Sequence, residues 1–317
     1  MNRKGVNKMK IAFFEIKTEE RNFFEDKLKN INAEILFFEE TINQHSLPAD
    51  YDIISVFVNS KVTSDILDKL PNLKYIQTRS TGYDHIDIVE CYKRGVIVSN
   101  VKGYAGAAVG EFAFGLLLEA IRKIYIAIER VKRGNLFYKD LKGMEIEGKT
   151  IGILGLGTIG RQIAKIAKGF GANAIAYVRH KKEIAVKQTP VLEEVFENSD
   201  FLFIALPLTP ETKNLINSKN IYHFKGKVII NPARPEIISK EIYDKFEGII
   251  AADVLPDWNL AKKENIIATP HMAYYTKEAL RRIIQISLDN LLDYLNGKKP
   301  RYCLKEECIK NYNNCKG

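Results

Sequence analysis

Short apolar runs alternate with longer amphipathic stretches along most of the chain. In the first eighty residues the runs KIAFFEI (10–16), AEILFFE (33–39), DIISVFV (52–58) and LKYIQT (73–78) are rich in β-branched and aromatic residues. Between them, TEERNFFEDKLKNI (18–31) and SDILDKL (64–70) are amphipathic. Such alternation predicts βαβ units around a parallel sheet. A second series opens at residue 150 with TIGILGLG and TIGRQIAKIAKGFG, followed by ANAIAYV, DFLFIALP, KVIINPA, GIIAADV and NIIATP. Several of its runs are apolar at every position, as strands covered by helices on both faces are. Between the series, the stretch from Tyr104 to Arg133 is apolar at helical spacing and ends in basic residues before Gly134. It predicts one long buried helix carrying the chain from one sheet to the other. TKEALRRIIQISLDNLLDYLNG (276–297) predicts a last amphipathic helix, whose docking place the pattern does not give. The fold expected is α/β, with two doubly wound parallel-sheet domains.

A length of 317 residues agrees, since it exceeds what one core usually serves. With 46% hydrophobic and 27% charged residues, the composition is that of a soluble globular protein. The apolar segments are too short and too often interrupted by charge to cross a membrane. The start, MNRKGVNKMKIAFFEIKTEE, lacks a cleavage site and its apolar run stops at Glu15, so no signal peptide is expected and the location expected is cytoplasmic. Residues 1–8 read as an extension before the first strand. The net charge of +9 is scattered along the chain and the aromatics sit in apolar runs. This describes a solvated lysine-rich surface rather than a nucleic-acid site. Three of the four cysteines, Cys303, Cys308 and Cys315, form C-x4-C-x6-C without a knuckle or nearby histidine. They read as spare thiols, with no metal and no disulfide, and Cys91 reads as packing.

Chemistry enters at Gly155-x-Gly157-x-x-Gly160, directly after an apolar strand and at the start of a helix. Glycines at this spacing allow a tight turn, backbone approach to a pyrophosphate and close helix–strand contact. The helix N-terminus then offers unpaired N–H groups to the phosphates, which predicts a dinucleotide site. The following strand ends at Val178, where a site for unphosphorylated ribose holds an acid, and Arg179, His180, Lys181 and Lys182 come next. A neutral residue followed by arginine suits a 2′-phosphate, so NADP(H) is favoured over NAD(H).

Arg234, after the run KVIINPA, and His271, after NIIATP, both follow strands, at the end where open α/β sheets bind ligands. A guanidinium fork can clamp a carboxylate, and an imidazole exchanges its proton near neutral pH. Together they fit hydride chemistry on a 2-keto acid. His85 and Asp84 read as loop-fixing hydrogen bonders. His45, His180 and His223 read as surface residues, and Glu111 as a carboxylate complementing a helix dipole.

TRSTGYDHID (78–87), GLGTIG, PLTPETKNLIN (207–217), NPAR (231–234), AADV (251–254) and TPHMAYYT (269–276) occur in an order and spacing that resemble one family. This is the D-isomer-specific 2-hydroxyacid dehydrogenases, in their D-lactate dehydrogenase-like branch, and the resemblance covers Met9 to Gly297. It implies Rossmann- and flavodoxin-like domains with a cleft between them. Residues 1–102 with 270–317 would form a discontinuous substrate domain, and residues 103–269 a dinucleotide-binding domain. In it Arg234 would bind the substrate carboxylate and polarise the keto group, with His271 as acid and base. Backbone N–H groups of Ser80, Thr81 and Gly82 would hold the carboxylate, with Tyr104 lining the pocket. The cofactor would meet Gly155, Gly157, Thr158, Ile159 and Gly160, then Val178, Arg179 and His180. Leu206, Pro207, Thr212, Pro232, Ala233 and Asp253 would complete its site. The helix after Tyr104 resembles the family's dimerisation arm, implying a homodimer.

The chain departs from the family's pattern after Asp253-Val254. The glutamate usual there, hydrogen-bonded to the catalytic histidine, is missing; the segment reads Leu255-Pro256-Asp257-Trp258-Asn259. Pro235 replaces a usual glycine and Gly110 a common alanine. Three readings stay open: Asp257 partners His271 through a shifted loop, the histidine works alone, or catalysis is lost and a dinucleotide-binding regulatory protein remains. Asp257 is the partner assigned.

Overall fold

The structure, a computed structural model, describes residues 8–304. In chain order its first elements are β1 (Met9–Phe13), α1 (Thr18–Leu28), β2 (Ala33–Phe37), β3 (Ile53–Val56), α2 (Ser64–Asp68), β4 (Tyr75–Thr78), α3 (Ile88–Lys93) and β5 (Ile97–Ser99). Next come α4 (Gly106–Arg122), α5 (Ile124–Lys132), β6 (Thr150–Leu154), α6 (Thr158–Gly169), β7 (Asn173–Tyr177), β8 (Lys187–Thr189), α7 (Leu192–Glu197) and β9 (Phe201–Ile204). The last are β10 (Val228–Asn231), α8 (Ile242–Lys245), β11 (Ile249–Ala252), β12 (Ile266–Ala268) and α9 (Lys277–Leu295). The chain divides into two compact units at Tyr104/Ala105 and Thr276/Lys277, so α9 returns to the first unit.

The first unit holds a five-stranded parallel sheet in the order β2-β1-β3-β4-β5. Alternation along β1 sends Ile11 and Phe13 to one face and Ala12 and Phe14 to the other. The Ile11 face is covered by α1, through Phe24 and Leu28, and by α9, through Leu288 and Leu291. Tyr75 stacks on Tyr294 there, with ring centroids 4.4 Å apart. The opposite face takes α2 and α3 through Ile66, Leu67 and Cys91. Each fully buried Phe, Ile or Leu stabilises the unit by roughly 1.5–3 kcal/mol. His45 is not the surface residue expected. Its ring lies against Phe38 at 4.3 Å between centroids and its Nε2 meets the Tyr51 hydroxyl at 2.8 Å.

The second unit holds a seven-stranded parallel sheet in the order β12-β11-β10-β9-β6-β7-β8. Its central strands are apolar at nearly every position because both faces are covered. Phe114 and Leu117 of α4 and Ile163 of α6 cover one, Val195 and Phe196 of α7 with Ile242 of α8 the other.

The single long helix expected between the sheets is two helices. Lys123 adopts a left-handed conformation (φ +50°) between α4 and α5. No glycine marks the break. The Glu119 carboxylate accepts the Tyr125 N–H and its carbonyl accepts the Lys123 N–H, so one residue caps both helix ends. Nor is the second half buried: α5 has no buried residue, and Ile124, Ile126, Ile128 and Val131 are exposed. Among the described residues no helix is long and apolar enough to cross a membrane. Cys91 is buried, which pushes its thiol up to about 12. Cys303 is half-buried, while Cys308 and Cys315 lie outside the described residues.

Candidate active site

Strand order in the seven-stranded sheet reverses between β6 and β9, and ligands of open sheets bind at that crevice. The turn leaving β6 carries the three glycines, and each meets a different constraint. Gly155 has φ +96°, and a Cβ there would stand 2.9 Å from the Ala205 carbonyl oxygen. A Cβ at Gly160 would stand 1.9 Å from the Gly155 carbonyl oxygen, so α6 could not close on the turn. Gly157, the residue capping α6, has φ −73° and nothing within 4 Å of its added Cβ. Packing within the protein therefore does not demand glycine at 157. The open cradle beside the first N–H groups of α6, at Thr158, Ile159 and Gly160, fits a pyrophosphate. Gly157→Ala should lower stability by no more than about 1 kcal/mol, the loss of a good capping residue. It should also weaken dinucleotide binding roughly tenfold or more, read by fluorescence titration. Unchanged affinity would remove the turn from the cofactor site.

At the end of β7, Val178 is buried and Arg179 and His180 are exposed. The Glu211 carboxyl is held below its ordinary range chiefly by the Thr209 hydroxyl, with the charge of nearby Arg179 adding to it. Leu206 packs over the glycine turn, its Cδ2 2.9 Å from a Cβ built on Gly155. Pro207 follows it, exposed. Thr212 is turned inward. Its hydroxyl donates to the Pro207 carbonyl at 2.6 Å and accepts the Thr209 N–H at 2.7 Å, so it shapes this loop.

After β10, Asn231 fixes the next turn from within. Its side chain accepts the Ala233 N–H and donates to the Arg234 carbonyl, both at 3.0 Å. Pro232 is buried and Ala233 half-buried. Arg234 is half-buried as well, and its guanidinium donates to the Ala233 carbonyl at 3.2 Å. Among the described residues no carboxylate stands within ion-pair distance of it. A partly desolvated guanidinium without an anion is a place where an anionic ligand gains most.

His271 follows β12 with φ +56°, a conformation uncommon for a non-glycine residue. Asp253, at the end of β11, enforces it. Its carbonyl accepts the His271 N–H at 2.8 Å, and its buried carboxylate accepts the Thr269 hydroxyl (2.7 Å) and the Met272 and Ala273 N–H groups (2.9 Å each). Asp253, expected among the cofactor residues, thus spends its carboxylate clamping the loop that presents His271. Tyr274 meets the imidazole edge-on, 6.0 Å between centroids. The His271 pKa lies below its ordinary value, first through desolvation and then through the charge of Arg234, with Asp253 opposing. Arg234 and His271 are therefore close enough to feel each other's charge.

Asp257 does not partner His271 in this structure. It caps the short turn of helix at residues 258–262, and its carboxylate is taken by the Asn259 N–H (2.9 Å) and side-chain amide (3.1 Å). An exposed aspartate followed by a free N–H two residues on closes locally instead of reaching across a loop.

In the first unit, Ser80, Thr81 and Gly82 follow β4. The Ser80 carbonyl accepts the Val101 N–H (2.9 Å) and the Thr81 carbonyl accepts the Asn100 side chain (2.7 Å). Tyr104 is buried and its carbonyl accepts the Arg282 guanidinium at 2.6 Å. The clamp role of Asp253 and the burial of Arg79 were not foreseen. An aspartate closing a strand beside TPHMA is the one signal that could have pointed to the clamp.

The family model described as "D-isomer specific 2-hydroxyacid dehydrogenase, NAD binding domain" matches residues 114–273. A glyoxylate reductase of Thermofilum pendens is 34% identical over 284 residues, covering 82% of this chain and 83% of that protein. The crystal structure of D-lactate dehydrogenase from Aquifex aeolicus, complexed with NAD and lactic acid, superposes with a TM-score of 0.79 at 28% identity, over 90% of this chain and 96% of that one. An acyclic imino acid reductase in complex with NADPH and D-Arg gives a TM-score of 0.81 at 26% identity, over 94% and 100%. With its glycine turn, strand-end arginine and clamped histidine, the chain belongs to the D-isomer specific 2-hydroxyacid dehydrogenases, oxidoreductases of 2-hydroxy and 2-keto acids that use a nicotinamide dinucleotide.

Proposed function

We propose that the protein reduces a small 2-keto acid to the D-2-hydroxy acid, with NADPH as the preferred donor. The observation that carries this reading is the pair Arg234 and His271. One is a guanidinium lacking an anion among the described residues, the other an imidazole within reach of its charge, both at strand ends of the unit that holds the glycine turn. Arg234 binds the keto acid and draws electron density onto the C2 oxygen. His271 delivers a proton to that oxygen as C2 is reduced, and takes it back in the reverse direction. The dinucleotide, when bound, supplies the hydride. Preorganised positive charge of this kind acts where negative charge develops.

The preference for NADPH rests on Val178, in place of an acid, and on exposed Arg179 beside it. Consumption of NADPH and NADH should be followed with glyoxylate, pyruvate, hydroxypyruvate and phenylpyruvate. At least one acid should be turned over, with kcat/KM roughly tenfold higher for NADPH. Equal or reversed preference would reject the NADPH assignment. Tight dinucleotide binding without turnover would return the chain to a binding or regulatory role.

A second reading is favoured by the lack, among the described residues, of a carboxylate bonded to His271. An iminium carries its own proton, so reduction of a 2-imino acid asks no acid of the protein. Adding methylamine to the keto-acid assays separates the two, because an imine reductase gains rate as amine is added.

The exposed apolar residues of α5, with Leu136, Phe137 and Tyr138 after it, fit a second copy of this chain. Analytical ultracentrifugation should find a dimer, and a monomer at micromolar concentration would reject this assignment.

A further inference from the structure

The loop that follows β4 is held from beneath by a chain of hydrogen bonds with only one possible direction. A carbonyl can only accept, so the Ser80 hydroxyl donates to the Gly82 carbonyl, at 2.6 Å. That donation uses Ser80's one proton, and its 2.7 Å contact with the Thr78 hydroxyl must be donated by Thr78. Thr78 has then spent its own proton, and its 3.0 Å contact with His85 Nε2 must be donated by the imidazole. Each donor in such a chain polarises the next. Burial holds the His85 pKa below its ordinary value, with Glu15 and Asp84 opposing, so the neutral ring carries its proton on Nε2.

The chain acts on a loop with an unusual balance of polar groups. The carbonyls of Ser80, Thr81 and Gly82 all accept hydrogen bonds from within the unit. The Thr81 hydroxyl is taken too, by the Val101 carbonyl at 2.8 Å. For the N–H groups of the three residues, no acceptor exists among the described residues. Consecutive N–H groups left over in this way are donors available to an anion. Arg79, which precedes the loop, is fully buried. Its guanidinium donates to the Phe14, Glu15 and Ser55 carbonyls and the Ser55 hydroxyl, with no carboxylate oxygen at ion-pair distance among the described residues. A buried positive charge is therefore carried by the residue directly before these donors.

We propose that His85 is a positioning residue of the substrate site, opening the Thr78–Ser80 chain that fixes loop 80–82 to receive the keto acid's carboxylate. This rests on the reading of the chain as a 2-keto-acid reductase. His85 touches neither substrate nor cofactor, and its effect reaches the ligand through the Gly82 carbonyl.

The test uses the full chain and whichever keto acid the wild type reduces, with KM and kcat for the acid, KM for the cofactor and the melting temperature measured together. His85→Met removes the first donor and Thr78→Val the middle link. Each should raise the keto-acid KM roughly fivefold to tenfold, the worth of one hydrogen bond, with kcat and the cofactor KM unmoved. The double variant should be no worse than either single one, because both break the same chain. His85→Gln, whose amide can donate at similar reach, should restore the KM to within about twofold. Additive effects, or an unchanged KM in both single variants, would overturn the proposal while leaving the proposed reaction standing. A wild type that turns over no keto acid would overturn that reaction, and this assignment with it. Should His85→Met fail to fold, Ser80→Ala removes the last donor and must show the same rise in KM.

Discussion

Replacing Arg234 by methionine should lower kcat/KM for the keto acid on the order of 10^3-fold while leaving dinucleotide affinity unchanged. The guanidinium gives a planar, charged fork of donors, and methionine keeps much of the side-chain length without the charge. The turn that presents residue 234 is fixed by the Asn231 side chain bonding the backbone of Ala233 and Arg234, so it does not depend on the residue lost. Lysine should recover only part of the rate, because an ammonium is a point charge and cannot make two parallel bonds to one carboxylate. Steady-state kinetics with a parallel fluorescence titration of the cofactor would check this. A methionine variant within tenfold of wild type would take Arg234 out of the reaction.

His271→Asn should lower kcat between about 10^2-fold and 10^4-fold, the usual worth of a positioned acid. Asparagine is the right replacement because it tolerates the left-handed backbone at this position better than other residues. The Asp253 clamp bonds the backbone of residues 271–273 and the Thr269 hydroxyl, so it survives the change and the fold should be undisturbed. The pH profile follows from the same geometry. In the proposed reaction, reduction needs the imidazolium, and its pKa lies below the ordinary 6.5 because of desolvation and Arg234. The keto-acid kcat/KM should thus be flat at low pH and fall about tenfold per unit above a pKa under that value. Oxidation of the hydroxy acid needs the neutral ring and should rise over the same interval. His271→Asn should erase both limbs. Asp257→Asn should overlay the wild type, since that carboxylate is committed to Asn259. A profile displaced by Asp257→Asn would restore aspartate 257 as the partner.

The central strands were legible because burial on both faces demands apolar runs, and β6, β9, β10 and β11 are apolar but for Thr150 at the start of β6 and Asn231 at the end of β10. β8, reading only Lys-Gln-Thr, carries no such signal. It forms because β7 offers a free edge, with the Val178 N–H reaching the Thr189 carbonyl at 3.0 Å. The break at Lys123 was hidden for a similar reason. Helix ends are usually announced by glycine or proline, whereas here a glutamate four residues upstream supplies the caps. At the candidate site, glycine spacing and strand-end position were enough to single out the turn, Arg234 and His271. The partners of carboxylates were not. Asp253 and Asp257 look equivalent in the sequence, yet one is buried and reaches four groups of a neighbouring loop and the other closes on the residue two places along. That difference depends on which loops lie side by side, information carried by strand order rather than by local pattern.

The proposed reaction fixes the fate of one hydrogen. The protein should be given a keto acid from the panel and NADPH deuterated at nicotinamide C4 on the transferred face, and the product isolated. The product should be a D-2-hydroxy acid carrying one deuterium at C2, made by the wild type and at least about a hundred times more slowly by Arg234→Met and His271→Asn. An L-configured product, deuterium lost to water, or equal labelling by all three proteins would contradict it.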